Sequence, residues 1–562
     1  MTTGTGEIGV VVPATETAYG QSRPPSSQAA DSVFGQLSLI AVARYFLLGL
    51  ALACLADIRS TLPVWHALSR ALLMSLLFGA LLLPLRRALA FLLLVAVVCP
   101  DIVQSASQVA EYGAFSVASP WQTSIGPLRP SWLIFAYCLV LLVRCGTCLC
   151  DRVVFVAALW FGTVPFVTGA LYGGFSTPVA SIHIPVDVKI PFLLLVAVVL
   201  FRSYMGRRPE ELATLLAAFI GAVLARHLID FVYWLLGIGS YFAGANRVSL
   251  DSTKGTVVFM LLISLSLIFV WRRRLLGSVL GVISSVLIVV YTTRMLWVTS
   301  IAAVIIFVGM MRTTKWLWVT IATGLIALAG LWFLVTVSPE NIELALCRGN
   351  RFWGVEGLGD VLWRLDPVRY AELHNAIGTN VRRQAILWGS GYGSYYTELI
   401  MPFPVKMADS FPDYSLASGR FYTCHDYIIR TFFKYGLVGL AILSAVWLVP
   451  GWKCFRAFRG GVGSLGGLIV SAVAFLPTSI LQLSWSGKGV IISGFLIAVY
   501  VTACELQPQA IEQTGRRRIA RLPGLIRWPL CPRAGQPGLV MPRRGFDRFF
   551  KAYRESGRPW RT

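Results

Sequence analysis

A histidine and a handful of arginines hold the chemical interest of this sequence. "GANRVSLDSTKG" (244–255) puts Arg247 and Lys254 just ahead of an apolar stretch. "YTTRMLWVTS" (291–300) puts Arg294 at a turn tight enough to be a membrane edge. "YTCHDYIIRTFFKYGLVGL" (422–440) opens an apolar segment with Cys424, His425 and Asp426, then carries Arg430 and Lys434 in the following turns. Ionisable groups at the rim of a membrane segment are costly and by default face a cavity or a partner. Guanidinium forks pair with phosphate oxygens, and imidazole titrates near neutrality and serves as acid or base. Together they suit attack of a hydroxyl on a carbon that bears a phosphate leaving group. The histidine takes the hydroxyl proton and the arginines hold the departing diphosphate electrostatically. One arginine alone reads more simply as snorkelling to lipid headgroups. Two arginines and a histidine reaching the same face read as a site.

The elements that position these groups must be membrane helices. Of 562 residues, 56% are hydrophobic and only 13% charged, with a mean hydropathy of +0.70, which excludes an ordinary soluble enzyme. Fourteen apolar stretches approach the ~20 residues that span a bilayer as a helix. They run at about 37–56, 67–85, 88–104, 131–149, 153–172, 189–201, 211–232, 255–271, 275–293, 295–311, 316–336, 431–451, 462–482 and 489–504. The expected fold is an all-α polytopic membrane protein with about 12–14 transmembrane helices and one large loop. Its organisation reads as a disordered cytoplasmic tail (1–35), eleven helices (36–336), the loop (337–430), three further helices (431–504) and a basic cytoplasmic tail (505–562).

Charge placement orients the chain. With the N-terminus inside, the inner connections hold Arg86-Arg87, Arg152, Arg202, Arg207-Arg208, Arg272 to Arg274, Arg312, Lys315, Lys453, Arg456 and Arg459, as the positive-inside bias requires. The C-terminal 505–562 segment adds 13 Lys/Arg against 4 Asp/Glu. It reads as a topology anchor on anionic lipid and not as a nucleic-acid surface. The loop at 337–430, and with it His425, then lies on the extracytoplasmic face, where ATP is absent.

Within that loop, "VRYAELHNAIGTNVRRQAILW" (368–388) has the apolar spacing of an amphipathic helix. "GSGYGSYY" (389–396) offers the backbone N–H groups of Gly391 and Gly393 to an anion, or else is a turn packed under tyrosines; both readings stay open. Arg420 lies in the same loop, five residues before His425. No acidic pair has metal-ligand spacing; Asp409 and Asp413 read as an ordinary loop. Cys347 and Cys424 are the two cysteines of the loop and form a candidate disulfide on an oxidising face.

These segments resemble the O-antigen ligase and O-antigen polymerase superfamily. "YTTRMLWVTSIAAVIIF" (291–307) is similar to its Thr-x-Ser-Arg segment, "ILWGSGYGSYY" (386–396) to its Gly-x-Gly turn, and "CHDYIIRTFFKYGLVGLAIL" (424–443) to its His-Asn-x-x-Leu and Gly-x-x-Gly segment. "NRVSLDSTKGTVVFMLLI" (246–263) is loosely similar to its earlier Arg-containing stretch. The likeness covers roughly 245–445, with Asp426, Thr293 and Lys254 departing from the usual Asn, Ser and Asn.

The resemblance implies a metal-independent, cofactor-free membrane glycosyltransferase with a GT-C-like helical core, in the bacterial inner membrane. It implies His425 and Arg294 as catalytic residues, with Arg247 beside Arg294 on the donor diphosphate. Lys254, Arg420, Arg430, Gly391 and Gly393 are further candidate substrate contacts. The expected partners are an undecaprenyl-diphosphate-linked glycan donor, a glycan or lipid acceptor, membrane lipids and polysaccharide-assembly proteins. Polymerisation of lipid-linked repeats is the leading expectation. The alternatives are a ligase that moves glycan to lipid A core or another acceptor, and a secondary transporter or flippase. The last is disfavoured because neither paired repeats nor a broken helix is legible in the sequence.

Overall fold

A computed structural model describes residues 39–56, 63–99, 130–146, 152–176, 178–235, 240–242, 245–247, 255–291, 294–311, 367–404, 411, 413–424, 427–459, 465–480 and 487–520. In chain order the helices are α1 (Leu39–Ala56), α2 (Pro63–Ala80), α3 (Leu85–Val98), α4 (Pro130–Cys145), α5 (Arg152–Leu171), α6 (Pro178–Arg207) and α7 (Leu212–Leu235). They continue as α8 (Gly255–Phe269), α9 (Arg274–Val290), α10 (Arg294–Met311), α11 (Pro367–Arg382), α12 (Asp413–Ser418), α13 (Tyr427–Arg459), α14 (Gly466–Thr478) and α15 (Gly487–Ala520). Among the described residues one antiparallel hairpin, β1 (Ser240–Phe242) with β2 (Ala245–Arg247), pairs Ser240 with Arg247. The described residues up to Thr514 form one compact unit; of Gly515–Thr562 only the end of α15 is described.

Thirteen of the fourteen apolar stretches coincide with a helix; 316–336 lies outside the described residues, as do 1–35, Cys347 and the 337–366 part of the large loop. Among the described residues six helices are long and apolar enough to cross a membrane, and six shorter apolar helices accompany them. Their outer faces are apolar as well. On α10, Val298, Ile301 and Ile305 are each more than 60% exposed, the stripe of a helix whose solvent is lipid. The largest departure from expectation is α6. It begins at Pro178, eleven residues before the apolar stretch, so that Asp187 belongs to a helix and not to a loop.

Small residues set the closest packing. On α1 and α7, Gly49 meets Ala225, and a methyl group on Gly221 would lie 2.7 Å from the Phe46 nitrogen. This is the small-residue contact that lets membrane helices approach without a hydrophobic driving force. Polar contacts then sort the helix ends into two sets. One end gathers Arg86 on Glu211, Arg202 on Glu505, Arg207 on the Cys145 carbonyl, and Arg144 on the carbonyls of Leu81 and Leu83. Of these, Arg86, Arg202 and Arg207 are among the residues that the charge pattern assigned to one face. The opposite end holds the groups with chemical potential.

Candidate functional site

The segment that begins at His425 becomes α13, and its helix breaks at Gly436, whose φ of 67° is left-handed. A residue with a side chain is strained there. The break withdraws four backbone groups from the helical ladder: the carbonyls of Phe433 and Lys434, and the N–H groups of Leu437 and Val438. The glycine-rich loop meets all four. Ser390 N donates to Phe433 O at 2.8 Å and Gly391 N to Lys434 O at 2.9 Å. Leu437 N donates to Ile386 O at 2.9 Å and Val438 N to Leu387 O at 3.1 Å. Asn380, on α11, donates to the carbonyls of Phe432 and Phe433 and accepts from the Ser390 hydroxyl. Irregular backbone inside a membrane protein is tolerated only when such groups are satisfied by protein. The broken helix, not legible in the sequence, is thus repaired by a loop some fifty residues upstream.

The same loop reaches α5. Pro165 has no N–H, so the Phe161 carbonyl four residues earlier loses its helical donor. The Tyr392 hydroxyl donates to that carbonyl at 2.8 Å, and Tyr392 N donates to Pro165 O at 2.9 Å. Gly391 lies against the α5 backbone with φ of 81°, and a methyl group there would sit 2.0 Å from the Gly169 nitrogen.

Under the loop lies Asp187, wholly buried. Its carboxylate is held by Arg430 Nη2 at 2.7 Å and Lys434 Nζ at 2.8 Å, and it accepts from Gly393 N at 3.1 Å. Lys434 Nζ also donates to Ser394 O at 2.7 Å. Arg430 and Lys434 stand one helical turn apart on α13, so both cations reach the same acid on α6. Two cations, one anion and a hydrogen-bonding backbone make a buried group whose members are mutually required: removing one leaves an uncompensated charge.

A second polar cluster crosses the bundle at α7. Arg226 pairs with Asp230 one turn on and donates to the Val98 carbonyl at the end of α3. Lys488, wholly buried, donates to Cys99 O at 3.2 Å. Both cations serve carbonyls that the end of α3 leaves unpaired, where its dipole is negative. His227, the next residue on α7 and 1% exposed, bonds Tyr291 Oη through Nδ1 and Thr256 Oγ1, at 3.3 Å, through Nε2. Tyr291 is three residues before Arg294, and Thr256 is two residues after Lys254. One histidine therefore ties together the turn that carries Arg294 and the chain that leads from Arg247 and Lys254.

The expected site residues fall as follows. Arg294 opens α10 and Arg247 closes β2, both by backbone alone; His425, Asp426 and Lys254 lie outside the described residues. The flanks of His425 are fixed: Cys424 and Tyr427 are both less than 10% exposed. Arg430 is neither a surface charge nor free for a substrate; it is the partner of Asp187. The N–H groups of Gly391 and Gly393 donate to Lys434 O and to the Asp187 carboxylate, so neither is offered to a bound anion. Of the two readings of this turn, packing under tyrosines matches the geometry. Arg420 is part-exposed, with its guanidinium carbon 4.8 Å from the centre of the Tyr395 ring. Cys424 carries a free thiol in the small core of Tyr396, Phe411, Phe421 and Phe433, and burial pushes its pKa well above the usual cysteine range. Cys347, its expected partner, is outside the described residues.

Asp187 and His227 were missed by sequence reasoning. The signal for Asp187 was an acid followed four residues later by proline, Asp187 and Pro191, directly ahead of a long apolar run. The signal for His227 was "ARHLID", three ionisable groups inside a span of mean hydropathy 2.0.

No family model matches the chain, and no curated protein does. Among the described residues no group of three or more His, Cys, Asp or Glu is placed to hold a metal ion.

Proposed function

We propose that this chain is an integral-membrane glycosyltransferase of the GT-C-like kind that polymerises oligosaccharide repeats carried on a polyprenyl diphosphate, at the extracytoplasmic face of the bacterial inner membrane. The acceptor hydroxyl oxygen forms a bond to the anomeric carbon of the donor. The bond from that carbon to the diphosphate oxygen breaks, and its electron pair leaves with the diphosphate. His425 takes the hydroxyl proton, and Arg247 and Arg294 hold the charge that builds on the leaving group. The reading starts from the resemblance over 245–445. The structural observation that supports it is the bridge from Tyr291 through His227 to Thr256, because it draws together the chain beside Arg294 and the chain beside Lys254.

Deletion of the gene followed by analysis of surface glycan and lipid-linked intermediates tests it. Loss of a polymerase leaves single repeats on the final acceptor. Loss of a ligase leaves long chains stranded on the lipid carrier. A surface glycan unchanged in both respects removes both reactions.

One observation favours a second reading, a secondary transporter or flippase. Transporters place broken helices and buried charges at their binding sites, and α13 breaks at Gly436 one turn from the Asp187, Arg430 and Lys434 group. In that case glycan assembly fails at lipid translocation, and the His425→Ala protein retains transport.

A further inference from the structure

Beside the loop that repairs α13 lies a cationic and aromatic patch of which only Arg420 is among the expected substrate contacts. Tyr395 is approached by two guanidinium groups, Arg383 at 5.5 Å and Arg420 at 4.8 Å from its ring centre. Arg383 also lies 5.9 Å from the centre of Tyr172. Tyr422 packs 5.7 Å from Tyr395 and stacks on His183, with ring centres 4.6 Å apart and planes 4° from parallel. Single arginine–aromatic contacts are common in proteins. Two like charges gathered on one ring are not self-explanatory, because they repel each other.

Among the described residues nothing acidic accounts for Arg383. Its Nη1 is buried and has no hydrogen-bond partner among the described residues. Burial pulls its pKa down, and only Tyr395 and Tyr172 oppose that. An arginine does not lose its proton under such conditions, so the site holds a charge that has no counter-ion among the described residues. Yet Tyr172, His183, Arg383, Tyr395 and Arg420 are all part-exposed, which leaves the patch open from outside.

The patch is also rigidly mounted. Arg383 ends α11 through its N–H bond to Thr379 O. Ser394, just before Tyr395, is held by Lys434, and Tyr396, just after it, exchanges backbone hydrogen bonds with Phe421 at 3.0 and 2.9 Å. Arg420 and Tyr422 flank that same Phe421. Arg383, Arg420 and Tyr422 are therefore fixed around the Tyr395 ring, and Tyr422 stands three residues in sequence before His425.

We infer that Arg383 and Arg420, set against Tyr172, Tyr395 and Tyr422, form a binding site for an oxyanion, the carboxylate or phosphate group of a glycan substrate. The claim rests on the glycosyltransferase reading for the word glycan, and on the geometry alone for the word oxyanion. Planar guanidinium forks match carboxylate and phosphate oxygens, and a buried N–H without an acceptor gains most from such a partner.

The test is equilibrium binding to the purified full-length protein in lipid nanodiscs. The probes are inorganic pyrophosphate, glucuronate and, as the uncharged comparison, glucose. Binding of either anion, but not of glucose, is expected, and the stronger of the two identifies the source of the charge. Arg383→Gln and Arg420→Gln should each weaken that binding about tenfold, the scale of one lost charge-assisted fork. Arg456→Gln, exposed at the far end of α13, should leave it unchanged. Unaltered gel-filtration and melting profiles qualify each variant, and Arg420→Gln carries the test if Arg383→Gln does not fold. Equal binding of glucose and both anions overturns the site, as does anion binding indifferent to both arginines. Glycan chain length in cells carrying His425→Ala separates the two claims. Normal chains there together with arginine-dependent binding would remove the polymerase and keep the anion site. Lost chains with arginine-independent binding would do the reverse.

Discussion

Tyr435 donates its hydroxyl to the main-chain carbonyl of Asp187 at 2.9 Å. The reason is Pro191, four residues further along α6, which has no N–H to give that carbonyl. Tyr392 does the same for Phe161, orphaned by Pro165. Two tyrosines, one from the glycine-rich turn and one from α13, thus satisfy carbonyls that two helix-interior prolines set free, and the same two rings lie 5.8 Å apart.

The pairing is measurable by a double-mutant cycle. Tyr435→Phe should cost about 1–3 kcal/mol, the penalty of a buried carbonyl left unpaired. In a Pro191→Ala background the helix regains its own N–H, and the same change should cost markedly less. Equal losses in thermal unfolding of the two backgrounds would show that the hydroxyl is not serving the proline-freed carbonyl.

Asp187 should be among the least replaceable residues of the chain. Asp187→Ala strands two buried cations and should destabilise by about 3–5 kcal/mol, read as a large fall in melting temperature and in the amount of inserted protein. Adding Lys434→Met should recover part of that loss, because one stranded charge is then removed. No recovery would mean that Lys434 is stabilised by Ser394 O alone.

Gly391→Ala should abolish the assembled fold, since the added carbon meets the α5 backbone and φ is positive. Gly309→Ala is the comparison. Nothing lies within 4 Å of a carbon added there, and it stands inside α10, so it should be neutral or stabilising by up to about 1 kcal/mol. Normal expression and melting of the Gly391 variant would show that the loop does not dock as described.

Cys424 should resist alkylation in the native protein and react after denaturation without reductant, because its thiol is free, buried and shifted upward in pKa. Modification needing prior reduction would reveal a disulfide.

His425→Ala and Arg294→Ala should each abolish glycan polymerisation while leaving insertion intact. Gel analysis of surface glycan from complemented cells reads the outcome, and near-normal ladders from either variant would withdraw that residue from the reaction.

Much of the helical framework was legible because apolar length has few other uses: a run of about twenty apolar residues is readable without knowing its neighbours. The charge pattern reads Arg86 as part of a short connection; in the structure it stands at the start of α3 and meets Glu211, just ahead of α7. The site was legible only as residue types near helix ends. Arg430 looked the same in sequence whether it faced lipid headgroups, a substrate or an acid on another helix.

Only the tertiary structure could choose, because a buried charge is defined by what faces it. Asp187 and Arg430 are 243 residues apart, and neither carries a local mark of the other. The glycine-rich turn is the same lesson in backbone form. Three glycines announce that the chain takes an unusual path, but whether their N–H groups bind an anion or mend a helix depends on what lies opposite. Here that is Gly436 and the four hydrogen-bonding groups its break sets free. Sequence determined which segments must leave water; the meeting of distant segments decided where the polar groups they carried had to find partners.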